Sequence, residues 1–238
     1  MERLTVQPHL AEQAYTAILD AICSGRFAPG ERLTQEQLAA TLDVSRQPVL
    51  QALLLLKRQG FLRETGRRGL VVAPLDPDLV ARLYEVRSAL DGLACRTAAL
   101  RQASEAARRG PALIDAGRGA ARSGSIAAMI AADMSFHRFL YELSGNPLIA
   151  ETAALHWQHI RRVMGTYLQR VEAPESIWDE HTEILAAVVA GDADRAERLA
   201  RRHAEESALK VRAALTAATA DHSEQQLRPE GAMTGATP

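Results

Sequence analysis

The stretch "PGERLTQEQLAATLDVSRQPVLQALLLLKRQGFLRETGRRGLVV", residues 29–72, decides how the N-terminal part folds. Pro29-Gly30 marks a turn, and Thr34 is a natural N-cap with Gln37 three residues on, the spacing of a capping box. A short helix is therefore expected over "TQEQLAATLD". After a tight connection at Asp43-Val44, Ser45 starts a further helix, with Pro48 in the first turn, where a missing N–H costs little, and Gly60 as the stop. Two β-prone runs, Phe61–Arg63 and Leu70–Val72, flank a Gly- and Arg-rich turn and predict a hairpin. Upstream, "LAEQAYTAILDAICSG" places Ala14, Ile18 and Ile22 one turn apart, as in an amphipathic helix. Three helices followed by a hairpin is the order of a winged helix-turn-helix.

Beyond the hairpin the character changes. "APLDPD" (73–78) has two prolines in six residues and reads as a linker. Helices are expected over 78–101, 103–122, 125–144, 147–171, 174–190 and 192–219, the second being the one its glycines could break. The chain thus divides into 1–75, a winged helix-turn-helix, 76–220, an all-α helical bundle, and 221–238, a polar tail expected to be disordered. The fold class is mainly α. Aromatics are only 4% of a chain that is 47% hydrophobic, in keeping with Ala- and Leu-rich helices. Residues 1–75 hold 9 Lys/Arg against 7 Asp/Glu, whereas 76–238 hold 19 against 22, a mild hint of an anionic partner for the first part. Cys23 and Cys95 sit alone in apolar helical patterns and are expected to be free thiols in a reducing compartment. No apolar run approaches the roughly 20 residues that span a bilayer. A cytoplasmic protein without membrane association is expected.

In a helix-turn-helix the second helix enters the major groove with its N-terminal residues at base edges. That end is "SRQP", so Ser45 and Gln47 can meet phosphate or base, and Arg46 can fork onto a guanine. In the hairpin, Arg67 and Arg68 precede Gly69, whose missing side chain lets backbone approach a phosphate. With Thr34 and Gln51, these make the expected DNA-contacting set.

Residues 29–72 resemble the winged helix of the GntR family of bacterial transcription regulators, whose pattern runs PG-x-x-L, LA, VSR-x-PV, AL-x-x-L and a wing ending RG-x-x-V. The chain departs from it with Leu50 where an arginine is usual, Gln35 where an acid is usual, and Glu36 where an arginine is frequent. An operator different from the common one is expected, with more weight on Arg46, Arg67 and Arg68.

In the helical half, Asp133 and His137 lie one turn apart on one face, and His181 and His203 follow on later helices. Three imidazoles and a carboxylate suit a borderline divalent ion such as Zn²⁺ or Ni²⁺. The same spacing also suits a simple i,i+4 ion pair. Residues 79–215 resemble the FCD ligand-binding domain of the family's FadR branch, through "LYEVRSALDGLACRTAA" (83–99), "DMSFHRFLYELSGNPLI" (133–149) and "EHTEILAAVVAGDADRAERLARRH" (180–203). That resemblance implies a metal held by Asp133, His137, His181 and His203, and a small organic acid bound beside it. Arg87 matches the arginine of the family's E-x-R stretch and is the expected carboxylate anchor, with an ion pair to Asp91 as the equal alternative. The resemblance further implies a homodimer, formed through either half, on a palindromic double-stranded operator. It implies a repressor released by its effector, with the linker at Ala73–Asp78 carrying the signal. A DNA-binding dimer with a purely structural metal is the main alternative. A metal-dependent hydrolase is a weaker one, since no separate general base accompanies the ligands.

Overall fold

The computed structural model describes residues 9–66, 69–168 and 175–227. Helix α1 (His9–Cys23) turns its apolar stripe inward, burying Ala14, Ile18 and Ile22. A two-residue strand β1 (Arg32–Leu33) leads into α2 (Gln35–Leu42). Thr34 caps α2: its hydroxyl oxygen accepts from Gln37 N–H at 3.3 Å. The hydroxyl itself donates to Gln37 Oε1 at 2.8 Å, so the Gln37 side chain returns to the cap hydroxyl. Asp43 makes the turn with φ of 52°, a left-handed conformation that aspartate tolerates better than most residues. Helix α3 (Arg46–Arg58) follows, with Ser45 at its N-cap in extended backbone but without a side-chain cap bond.

Strands β2 (Leu62–Glu64) and β3 (Leu70–Val72) form the expected antiparallel pair. The sheet has a third member that sequence reading missed, because two residues carry no periodicity. β1 pairs with β3, giving the order β1-β3-β2. Ile18, Val49, Leu53, Leu56, Phe61 and Val72 form one core beneath these elements.

The helical half begins with α4 (Pro77–Ser123), capped by Asp76. Its backbone leaves helical geometry only at Gln102 (φ −139°, ψ 30°), where the two expected helices were divided. The Gly-rich stretch after it is helical throughout, through Pro111. Its glycines serve close packing. A Cβ on Gly110 would lie 2.5 Å from Leu185, and one on Gly117 would lie 2.0 Å from the Trp178 ring. Helices α5 (Ile126–Leu143), α6 (Pro147–Leu168), α7 (Glu175–Val189) and α8 (Ala193–Leu227) complete the bundle, with α4 packed on α5, α7 and α8.

Residues 221–227, expected in the polar tail, are helical. α8 continues to Leu227, since polarity alone does not stop a helix whose residues keep fair propensity, and 228–238 lie outside the described residues. Residues 169–171, expected at the end of α6, also lie outside them. Cys23 and Cys95 are free, as expected. Among the described residues, no helix is long and apolar enough to cross a membrane.

Because Gly117 has no room for a methyl group, Gly117→Ala should destabilise the chain by about 1–3 kcal/mol through overpacking. Urea unfolding would measure this, with Gly119→Ala, which meets nothing within 4 Å, expected to be neutral or stabilising.

Candidate metal centre and nucleic-acid interface

Three helices bring the four sequence-predicted ligands together in the middle of the bundle. α5 carries Asp133 and His137, α7 His181 and α8 His203. All four are buried, His181 completely, and one donor atom from each lies within 4.8 Å of the others. His181 Nε2 is 3.5 Å from Asp133 Oδ1 and 3.2 Å from His203 Nε2. His137 Nε2 is 3.8 Å from Asp133 Oδ1. Asp133 Oδ2 is buried without a hydrogen-bond partner among the described residues. Such a set of imidazoles around a carboxylate with unused lone pairs fits a divalent ion of the zinc type.

The site's electrostatics favour metal-binding protonation states. Burial, followed by the neighbouring His203, His137 and Arg87, pushes the His181 imidazole well below its ordinary pKa. Burial also lowers His203, against the opposing hydrogen bond it makes to Glu180. His203 Nδ1 donates to Glu180 Oε2 at 2.6 Å, and Lys210 Nζ donates to Glu180 Oε1 at 3.0 Å. Partial burial alone would raise the Glu180 carboxyl, yet these two partners bring it down to about 2.

Arg87 is buried at the edge of this cluster, and the ion pair with Asp91 is formed. Its Nε donates to Asp91 Oδ2 at 3.2 Å, one turn on, and its Nη2 donates to His137 Nε2 at 2.7 Å. A guanidinium only donates, so His137 Nε2 accepts and its proton resides on Nδ1, 3.3 Å from Asp91 Oδ2. Tyr141 hydroxyl donates to the other Asp91 oxygen. Burial works against the Asp91 carboxylate, but His137, Arg87 and Tyr141 together hold its pKa far below the usual range. The Trp157 ring covers Arg87, 5.1 Å from the guanidinium carbon. Beside them a small pocket is lined by Leu83, Leu90, Ala153, His156, Trp157 and Ile160 together with Arg87 and Tyr141.

Sequence reasoning missed Asp91's contact with His137, and it missed Tyr141, Trp157 and Glu180. Glu180 adjoins His181 in the chain, but its reach to His203 has no one-dimensional signature.

At the other end of the molecule, Ser45, Arg46, Gln47 and Gln51 are exposed along α3, and Gly69 has φ of 75°. Thr34 is half-buried, with its hydroxyl committed to the α2 cap. Arg46 Nη2 lies 2.7 Å from Glu36 Oε1, an exposed pair that ties the departing Glu36 to the leading arginine. Arg67 and Arg68 lie outside the described residues.

Two family models match this layout. Residues 10–72 match the bacterial regulatory proteins of the gntR family, and residues 82–206 match the FCD domain. The chain belongs to the GntR family and carries an FCD domain. It is a DNA-binding transcriptional regulator. It is 29% identical over 191 residues to an HTH-type transcriptional regulator in an unstable DNA locus of Streptomyces ambofaciens, covering 79% of each chain. It is 24% identical over 201 residues to the HTH-type transcriptional repressor RspR of Escherichia coli, covering 84% of this chain and 88% of that one. The solved structure of E. coli McbR/YncC has the same fold, with a TM-score of 0.72 at 19% identity, over 87% of this chain and 98% of that one.

In this regulator, Asp91 compensates a buried guanidinium. Asp91→Ala should therefore cost about 3–5 kcal/mol by removing the nearer of the two carboxylates that face the buried Arg87, Asp133 Oδ2 being 3.8 Å away. Denaturant unfolding would measure it, and a loss below about 1 kcal/mol would contradict the pairing.

Proposed function

We propose that the regulator is a cytoplasmic, non-enzymatic repressor that binds a palindromic operator as a homodimer and responds to a small organic acid at a metal in its FCD domain. Asp133, His137, His181 and His203 hold the ion, zinc or nickel, and Arg87 Nη2, released from His137 Nε2 as the ion takes that lone pair, anchors the acid's carboxylate. The observation that carries this reading is the convergence of the four buried donors within 4.8 Å, beside a pocket lined by Arg87. The buried charges support it. Arg87 against Asp91 and Asp133 leaves one negative charge, a divalent ion turns that into one positive charge, and a monocarboxylate then neutralises the site. When bound, the ion supplies open coordination positions for such a carboxylate.

α6 supports a route to the DNA-reading module. One side of the helix lines the pocket through Ala153, Trp157 and Ile160. Elsewhere on it, Arg161 Nη2 pairs with Asp20 of α1 at 2.5 Å, and His159 Nε2 donates to the Gln59 carbonyl at 2.9 Å while stacking on Phe61. Arg162 Nη2 reaches the Ala73 carbonyl at 2.6 Å, at the start of the linker. A shift of α6 around the effector therefore acts on the winged helix directly as well as through the linker. Ser45, Arg46, Gln47 and Gln51 read the operator, with Thr34, Arg67, Arg68 and Gly69 near the backbone.

Elemental analysis of untagged protein purified without chelator should give about one zinc or nickel per chain, lost in His137→Ala and His181→Ala. No metal in wild type, even after loading and desalting, would return Asp133 and His137 to an ion pair.

Fluorescence anisotropy on the promoter of the chain's own gene tests the DNA side. Arg46→Ala should weaken binding about 10-fold. Arg161→Ala should keep the binding and lose the change in affinity that metal and effector produce in wild type. A response of wild-type size in Arg161→Ala would remove α6 from the route.

A further inference from the structure

The three imidazoles of the candidate centre differ in what holds their outward nitrogens. His137 Nδ1 lies 3.3 Å from Asp91 Oδ2 but makes no hydrogen bond among the described residues, that carboxylate being taken up by Arg87 and Tyr141. His181 Nδ1 is buried with no hydrogen-bond partner among the described residues. His203 Nδ1 has a carboxylate held for it: Glu180 Oε2 accepts its proton at 2.6 Å, while Lys210 Nζ fixes the other oxygen at 3.0 Å. An imidazole binds a metal through the lone pair of one nitrogen. A carboxylate on the other nitrogen holds the proton there, fixes the ring plane and raises ligand basicity.

We infer that Glu180 is the positioning residue of the metal centre: by accepting from His203 Nδ1, it turns His203 Nε2 inward to face His181 and Asp133. This rests on the metal reading above. The neighbouring acids of α7 do otherwise. Asp179 pairs with Arg118 at 2.7 Å and Glu183 with Arg202 at 3.6 Å, all four away from the cluster. Lys210 stands two turns beyond His203 on α8 and neutralises the Glu180 charge, so the carboxylate holds the ligand without adding a net negative charge beside the ion. One dipeptide, Glu180-His181, thus supplies a ligand from α7 and holds a ligand on α8.

A purely structural role, tying α7 to α8, is the competing explanation, and metal affinity separates the two. The full chain is stripped with chelator and titrated with Zn²⁺ against a chromophoric competitor, in wild type, Glu180→Ala, Glu180→Gln and Lys210→Met. Co²⁺ visible spectra are recorded beside each titration. Glu180→Ala should bind zinc about 10–100-fold more weakly and shift the Co²⁺ bands. Glu180→Gln, which keeps an acceptor, should recover part of that loss. Lys210→Met, which removes one of the two ties from Glu180 to α8 but keeps the bond to His203, should stay within about 3-fold of wild type. Glu180→Ala within about 3-fold of wild type would overturn the inference, as would Lys210→Met losing as much as Glu180→Ala. If Glu180→Ala does not fold, the same limits apply to Glu180→Gln. A wild type that binds no zinc fails the metal reading itself and the inference with it, and the parallel wild-type titration identifies that case.

Discussion

Charges shut inside an apolar bundle must find their partners there, and the helical half of this chain is organised around that constraint. Arg87, Asp91 and Asp133 are buried with three histidines, among Phe136, Trp157 and Trp178. In that environment a lone ion is untenable. Arg87 therefore spans Asp91 and His137, Tyr141 donates to Asp91, and Glu180 with Lys210 answers His203. Helices α4, α5, α7 and α8 each contribute to this cluster, so their relative positions are tied to it. An ion or anion entering the cluster changes its charge balance and reaches all of those helices together.

α6 extends that coupling. It contributes Trp157 to the cover over Arg87, and it carries Gln158, His159, Arg161 and Arg162 toward α1, Gln59 and the linker. A regulator needs an element that touches both the sensed site and the DNA-reading module, because a ligand shifts an equilibrium only by contacts that differ between its states. α6 meets that requirement through specific polar contacts and the His159–Phe61 stack, 4.1 Å between centroids. His159 is half-buried at this junction. Its role in the interface depends on a neighbour about 100 positions away.

Much of the architecture was legible one-dimensionally. Caps and breakers placed α2, α3 and the wing: Thr34, Gly60 and the β-prone runs act locally. The division of α4 at Gln102 falls at an expected helix boundary. Two boundaries failed for opposite reasons. β1 is too short to show alternation and exists only because β3 offers it a partner. The last helix outruns the point where polarity rises, since backbone hydrogen bonding is indifferent to which side chains face water. The glycines of α4 looked like breaks and are contact points, because the value of a missing Cβ depends on Leu185 and Trp178 lying against it.

The candidate site divides along the same line. By itself the sequence determined that Asp133 and His137 share a helical face, that His181 and His203 occupy later helices, and that residues 29–72 present Arg46 at the start of a recognition helix. Spacing along one helix is enough for the first, and local turn chemistry for the last. Only the tertiary structure decided that four donors from three helices converge, that Asp91 and Glu180 stand behind His137 and His203, and that Glu36 pairs with Arg46. Those relations join residues that are far apart along the chain or aligned by no single period, and packing alone makes them neighbours.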